Sequence, residues 1–246
     1  MSKISVIILL LLNQFSFAQT ADEIIQKAED RMRGETSLSE MTITTVRPKW
    51  EREMKIKTWT KGDDYSATLV LSPAKDKGGV FLKRKKEMWN YVPSIERTIK
   101  MPPSMMSQSW MGTDMTNDDL VKESSLKNDF TKKIVGSATI ENLDCHKIEL
   151  TPKKEVNSIW GKIIIWISKK DFLQLKTEFY DQDNFLVNTI LGKEVKMMGG
   201  KLMPSVMEVI PADKKGHLTR VQYTSMTFDL ELEDAIFTTQ YMKRLK

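Results

Sequence analysis

The chain has 246 residues, a formal net charge of +5, one cysteine and two histidines. A single cysteine excludes an internal disulfide, and two histidines leave little for a histidine-based metal or catalytic centre. The basic residues are dispersed in short groups such as Lys83–Lys86, Lys132-Lys133, Lys153-Lys154, Lys169-Lys170 and Lys214-Lys215, with no nucleic-acid motif among them; they read as solvated turns, or as contacts to an anionic headgroup layer.

Residues 1–18 have the form of an export leader. Lys3 is a short basic start, Ile4–Leu12 an apolar run, and Ser16-Phe17-Ala18 a small-residue cleavage site, so the mature chain is expected to begin at Gln19. The run is too short to span a bilayer. Lipid attachment would need a cysteine directly after the leader, whereas Cys145 lies deep in the chain. The expectation is a periplasmic protein, exported, soluble and not lipid-anchored, with residues 19–246 forming one domain large enough for its own core.

Thr20-Ala21-Asp22-Glu23 is a capping box, followed by Ile24, Ile25, Ala28 and Met32 at helical spacing and Gly34 as a stop. Almost everything after this helix alternates at the strand period. In Trp50–Trp59, Met54 and Ile56 fall on one side while Glu51, Glu53, Lys55 and Lys57 fall on the other. Similar segments are Leu38–Val46, Tyr65–Leu71, Met88–Val92, Thr131–Ile140, Lys147–Leu150, Gly161–Ile167, Phe172–Tyr180, Phe185–Val195, Leu202–Val209 and Leu218–Phe228. Turn residues separate them, among them Lys61–Asp64, Asp181–Asn184, Gly199-Gly200 and Asp213–Gly216. Ile163–Ile167 is apolar at every position and predicts a strand buried on both faces. The pattern gives a mainly β fold with a few helices. It is a large antiparallel sheet, curled or closed, with the first helix and the loop 101–130 packed in or over it.

The stretch Phe81–Leu120 is unusual. It carries Trp89, Tyr91 and Trp110, three prolines, and Met101, Met105, Met106, Met111 and Met115. An ordinary surface loop is polar. Three readings of the methionines stay open: core filler, a lipid-contacting surface, or soft donors for Cu(I). Trp89 and Tyr91 share a strand face, where core burial and cavity lining are both open. Asn117-Asp118-Asp119 predicts the cap of a short helix. Cys145 and His146 are adjacent on a strand, so they point to opposite faces and form no pair. None of the common hydrolase, zinc, phosphate-loop or dinucleotide motifs occurs, so the chain is read as non-enzymatic, with no cofactor.

Gly78-Gly79-Val80-Phe81-Leu82, Met88-Trp89-Asn90-Tyr91-Val92-Pro93, Arg97, Trp110-Met111-Gly112-Thr113-Asp114 and Asn117-Asp118-Asp119-Leu120, with the ending Phe237 and Tyr241–Leu245, resemble the outer membrane lipoprotein-sorting protein family, the LolA-like group. The resemblance spans essentially the whole chain after the leader. It implies an incomplete antiparallel barrel, LolA/LolB-like, whose apolar concave side is covered by helices and a loop. It also implies shielding of the acyl chains of lipids or lipoproteins between membranes. The partners would be an inner-membrane exporter of RND or ABC type, an outer-membrane acceptor and a transient membrane-surface contact. In the better-known chaperone of this fold an arginine governs the lid; Arg47 and Arg52 both lie near that position, and no motif chooses between them. On this reading 101–115 is a lid or inner wall, and Phe81, Trp89, Tyr91, Met101, Met105, Met106, Trp110 and Met111 line the cavity. An exposed chain of roughly sixteen carbons costs on the order of 10 kcal/mol, at about 0.8 kcal/mol per methylene. Such cargo needs a cavity nearly as apolar as a bilayer. A lipid- or exporter-sensing binding module and a methionine-rich copper protein are the alternatives.

Overall fold

The structure is a computed structural model that describes residues 19–122, 129–156 and 158–245. Thr20 caps helix α1 (Ala21–Arg33): its hydroxyl accepts from Glu23 N–H, and the Glu23 carboxylate accepts from Thr20 N–H. Gly34 ends the helix at φ +64°, and its N–H donates to Asp30 O at 3.1 Å. The positive φ favours glycine there, and a side chain would also displace Asp229 Oδ1, 2.6 Å from its Cβ.

The chain then forms two meanders. The first holds β1 (Thr36–Arg47), β2 (Trp50–Lys61), β3 (Tyr65–Ser72), β4 (Val80–Arg84), β5 (Glu87–Val92) and β6 (Arg97–Lys100). The second holds β7 (Phe130–Ile140), β8 (Leu143–Pro152), β9 (Lys162–Ser168), β10 (Gln174–Tyr180), β11 (Leu186–Met198), β12 (Lys201–Pro211) and β13 (Leu218–Phe228). They join where β1 pairs with β13, giving one antiparallel sheet of 13 strands ordered 6-5-4-3-2-1-13-12-11-10-9-8-7. The sheet does not close, because β6 and β7 are its two edges. This is the open, curved antiparallel fold that the alternation and the resemblance led us to expect. Two strands escaped the sequence pattern. In β4, Val80, Phe81, Leu82 and Lys83 are all buried, so it shows no alternation, and β6 is only four residues long.

The register fixes which side chains share a face. Phe81, Val70, Met54, Ile56, Ile43, Val221 and Met207 lie on one face of the first meander and the seam; Ile163, Ile165, Ile148 and Leu150 continue it across the second. Two covers lie on this face. Helix α1 packs Ala21, Ile24, Ile25 and Ala28 onto β7, β8 and β9. Residues 101–122, with the short helices α2 (Pro103–Met106) and α3 (Asn117–Lys122), pack onto β1–β5; residues 123–128 of the expected covering loop 101–130 lie outside the described residues. The cluster at 101–122 gathers Phe81 of β4 and Met207 of β12, five strand spacings or about 24 Å apart on a flat sheet, so the sheet wraps round it. On the opposite face, 3-10 turns at Asp234–Phe237 and Tyr241–Arg244 bury Phe237, Met242 and Leu245 against Trp59, Leu69 and Leu82. β9 is buried on both faces as predicted, with Ile163, Ile165 and Ile167 toward α1 and Ile164 and Trp166 away from it. Among the described residues no helix is long and apolar enough to cross a membrane.

Candidate functional site

The covering segment 101–122 holds its own shape through backbone and short side-chain bonds. Asn117 is its hub: Nδ2 donates to Met105 O (2.9 Å) and Gln108 O (3.3 Å), and its backbone N–H donates to Gln108 O (3.0 Å). Trp110 N–H donates to Met115 O (2.8 Å), and Thr113 Oγ1 donates to Trp110 O (2.7 Å). The cap of α3 is Thr116, one residue before the expected Asn117. Its hydroxyl accepts from Asp119 N–H (3.1 Å), and Asp119 Oδ2 accepts from Thr116 N–H (2.8 Å). The threonine and aspartate three apart take the capping box, which frees Asn117 to brace the loop.

Under this frame the apolar residues meet the sheet. Trp110 is 3% exposed and stands edge-on to Phe81, ring centroids 5.5 Å apart at 69°. Its indole N–H finds no acceptor among the described residues. Met101, Met106, Met111 and Met115 join Met41, Met54, Met88 and Met207 from the strands, so half of the chain's 16 methionines meet in one cluster.

Polar bonds hold the segment down at one end of the sheet. Arg47, at the end of β1, donates from Nη1 to Asp114 Oδ2 (2.9 Å) and Val46 O (2.7 Å), and from Nη2 to Gly112 O (2.9 Å). Arg52, across the turn on β2, donates from Nη2 to Met111 O. Thr219 on β13 donates from Oγ1 to Asp114 Oδ2 (2.7 Å) and accepts from Asp114 N–H (2.9 Å). His217 Nδ1 lies 3.8 Å from Asp114 Oδ1. The Arg47 and Asp114 side chains are 10% and 4% exposed. The backbone presents its two carbonyls to the arginines because Met111 and Gly112 both take positive φ, 51° and 76°. A Cβ on Gly112 would stand 3.4 Å from Arg52 Nη2.

The eight residues expected to line a cavity are divided. Phe81, Met101, Met106, Trp110 and Met111 come together in the cluster. Met105 is half-buried, and its carbonyl serves Asn117. Trp89 and Tyr91 do share a strand face, but it is the opposite face, where they pack with the C-terminal turns. Sequence reasoning missed the strand methionines, for which the period-two spacing of Met54 with Ile56 was the available signal. It also missed Asp114 and Thr219, although Asp114 stood inside the Met-Gly-Thr-Asp string.

Other titratable groups stand apart from this site. Burial pushes the Cys145 thiol up, with lesser contributions around it, while burial and then Lys169 push His146 down. The register sends this pair to opposite faces. Among the described residues no group of three or more His, Cys, Asp or Glu side chains could hold a metal ion. A surface groove of about 600 Å³ lies between Thr36, Lys61 and Leu230–Glu233 and includes no methionine of the cluster.

The arrangement is a methionine-rich segment pressed on an apolar sheet face and held by polar bonds at one end. Methionine side chains repack at little cost, so an apolar ligand of similar cross-section could take the place of the segment.

Comparison with known proteins places the chain by family and by fold. The model of a family described as "Uncharacterized protein" matches residues 62–244. No curated protein matches the sequence. Among solved structures, a DUF1329 family protein from Desulfovibrio piger superposes with a TM-score of 0.81 at 22% identity, covering 90% of this chain and 97% of that one. A LolA superfamily protein from Nitrosomonas europaea superposes at 0.75 with 24% identity, covering 91% and 100%. An outer membrane lipoprotein-sorting protein domain from Vibrio parahaemolyticus superposes at 0.77 with 20% identity, covering 91% and 98%. At these identities the likeness is one of fold.

Proposed function

Since the chain belongs to the family matched over residues 62–244 and has the LolA-like open sheet, we propose that it is a periplasmic carrier of lipid or lipoprotein acyl chains. The reading includes donation from an inner-membrane exporter and delivery to an outer-membrane acceptor. It rests on one observation: a methionine-rich segment fills the concave face of the sheet and is fastened there through Arg47, Arg52, Asp114 and Thr219. Release of these bonds frees the segment, and the acyl chain takes up the apolar contacts of Met101, Met106, Trp110 and Met111 with Phe81 and the strand methionines. Arg47 and Arg52, the two candidates by position for a lid arginine, both bond to this segment, one through a carboxylate and a carbonyl, the other through a carbonyl alone.

Uptake of a fluorescent fatty-acyl probe tests the proposal. The double change Met106→Asp and Met111→Asp puts two carboxylates into the apolar contact while leaving α1 and the second meander untouched. Probe binding should vanish with circular dichroism and thermal transition of the remaining fold retained. Unchanged binding, or no binding by the unaltered protein, overturns the reading. The eight gathered thioethers also support a second reading, a Cu(I) site. A stoichiometric Cu(I) complex lost on changing Met101 and Met106 to Leu, with no acyl binding, would establish it in the carrier's place.

A further inference from the structure

Large apolar side chains facing solvent gather at one end of the sheet. Trp50 is 50% exposed, Phe185 71%, Ile159 55% and Leu186 38%. The register and a few bonds place them on neighbouring connections. The β1–β2 turn carries Trp50 and adjoins the β12–β13 turn, because Val46 pairs with Leu218 on one side and Glu51 on the other, and Gly216 stands against Pro48. Ala212 N–H donates to Val187 O (2.8 Å), which ties the β12–β13 turn to the strand that leaves the β10–β11 turn with Phe185 and Leu186. Gln182 Nε2 donates to Ser158 O (2.9 Å), which brings in the connection that carries Ile159. Asp181 Oδ1 accepts from the N–H of Asp183 (3.0 Å) and of Phe185 (2.9 Å), so this carboxylate is engaged in shaping the turn that projects Phe185.

We propose that this end of the sheet docks on a lipid bilayer surface containing anionic headgroups, with Trp50, Phe185, Leu186 and Ile159 entering the interface. The proposal rests on the carrier reading and adds its membrane-facing surface. Three observations favour a bilayer over a folded partner. The apolar side chains stand on three separate connections, which suits a fluid interface that accepts each one independently. Tryptophan settles at the headgroup level, and phenylalanine, leucine and isoleucine enter the boundary with the acyl chains. Beside Trp50 the exposed Lys49, Lys214 and Lys215 outnumber Glu51 and Asp213, a basic excess that complements anionic lipid there, while Asp183 stands beside Phe185. The position also bears on the latch: the Arg47 guanidinium lies 5.7 Å from the Trp50 ring centroid while it holds Asp114 and Gly112 O. Insertion of Trp50 would therefore draw on the residue that fastens the loop.

Vesicle flotation tests this with the chain from Gln19 onward, which contains the described fold. The unaltered protein should float with phosphatidylethanolamine–phosphatidylglycerol vesicles and bind less as salt rises. The double change Trp50→Ser and Phe185→Ser should cut bound protein by about tenfold or more, and Met197→Ser, 63% exposed at the other end of the sheet, should leave it unchanged. No flotation by the unaltered protein overturns the proposal, and so does equal loss from Met197→Ser. Probe uptake without vesicles separates the two readings. Uptake kept by a protein that does not float leaves the carrier and removes the docking surface. Flotation by a protein that takes up no probe keeps the docking surface and removes the carrier.

Discussion

Replacing Arg47 with Met should open the covering loop without unfolding the sheet. The methionine keeps the apolar stem but removes the charge-assisted bonds to Asp114 Oδ2 and Gly112 O. Asp114, 4% exposed, then keeps the Thr219 hydroxyl and the neighbourhood of His217 but loses its cation. Breaking a buried pair from one side costs about 3–5 kcal/mol. The lower end applies here because Thr219 still donates and because Asp114 becomes hydrated when the loop lifts. A shift of about 3 kcal/mol raises the open population by roughly 150-fold. Native-state hydrogen exchange reads this directly. The N–H groups of Trp110, Thr113 and Asn117 are bonded only within the loop, to Met115, Trp110 and Gln108, and should exchange about two orders of magnitude faster. Amides of the central strand β9 should not change. Loop amides that exchange as before would refute the latch; equal acceleration of β9 would show that Arg47 supports the whole fold instead.

The further predictions concern neighbouring features. Gly112→Ala forces a side chain into φ +76°, at a cost of about 1–2 kcal/mol; exchange of the same loop amides should rise by roughly tenfold. Burial opposes an ionised Glu208, but hydrogen bonds from Lys193 and Arg220 outweigh it and hold its carboxyl below the ordinary value. The stability this confers is present above about pH 4.3, the ordinary carboxylate range, and is lost as pH falls through the lowered native value. Glu208→Gln should therefore flatten the acid side of a denaturant-melt pH series. Burial and then the hydrogen bond to Glu178 push the Tyr180 hydroxyl up to about 12. Its contribution is lost as pH rises from about 10, and tyrosinate absorbance should show a late-titrating group that Tyr180→Phe removes. Cys145 is fully buried, so thiol labelling should follow global unfolding and not loop opening.

The sheet was legible because its strands alternate and its turns carry glycine, asparagine and aspartate; β2 and the capping box of α1 are clear cases. β4 was hidden because both its faces are covered, by the loop on one side and the C-terminal turns on the other. The same double cover explains the division of the site residues. A period of two shows that Trp89 and Tyr91 share a face, but with both faces apolar no local signal says which one the loop takes. The methionines of 101–115 were visible as an anomaly, whereas Met41, Met88 and Met207 join them only through pairing between distant strands. The choice between Arg47 and Arg52 could not be read either, since both fall beside one hairpin turn and the fold uses both.

The pairing of β1 with β13 orders events as the chain folds. Leu38 faces Thr227 across the middle of the sheet, so the first strand made waits for the last. Until β13 emerges, β1 presents a bare edge of 12 residues, long enough to recruit other chains. Local hairpins on either side can zip early, whereas the join between them closes one very long loop and is the slow step. A chain cut before Leu218 would hold two half-sheets with no strand to unite them and the β1 edge open to other chains.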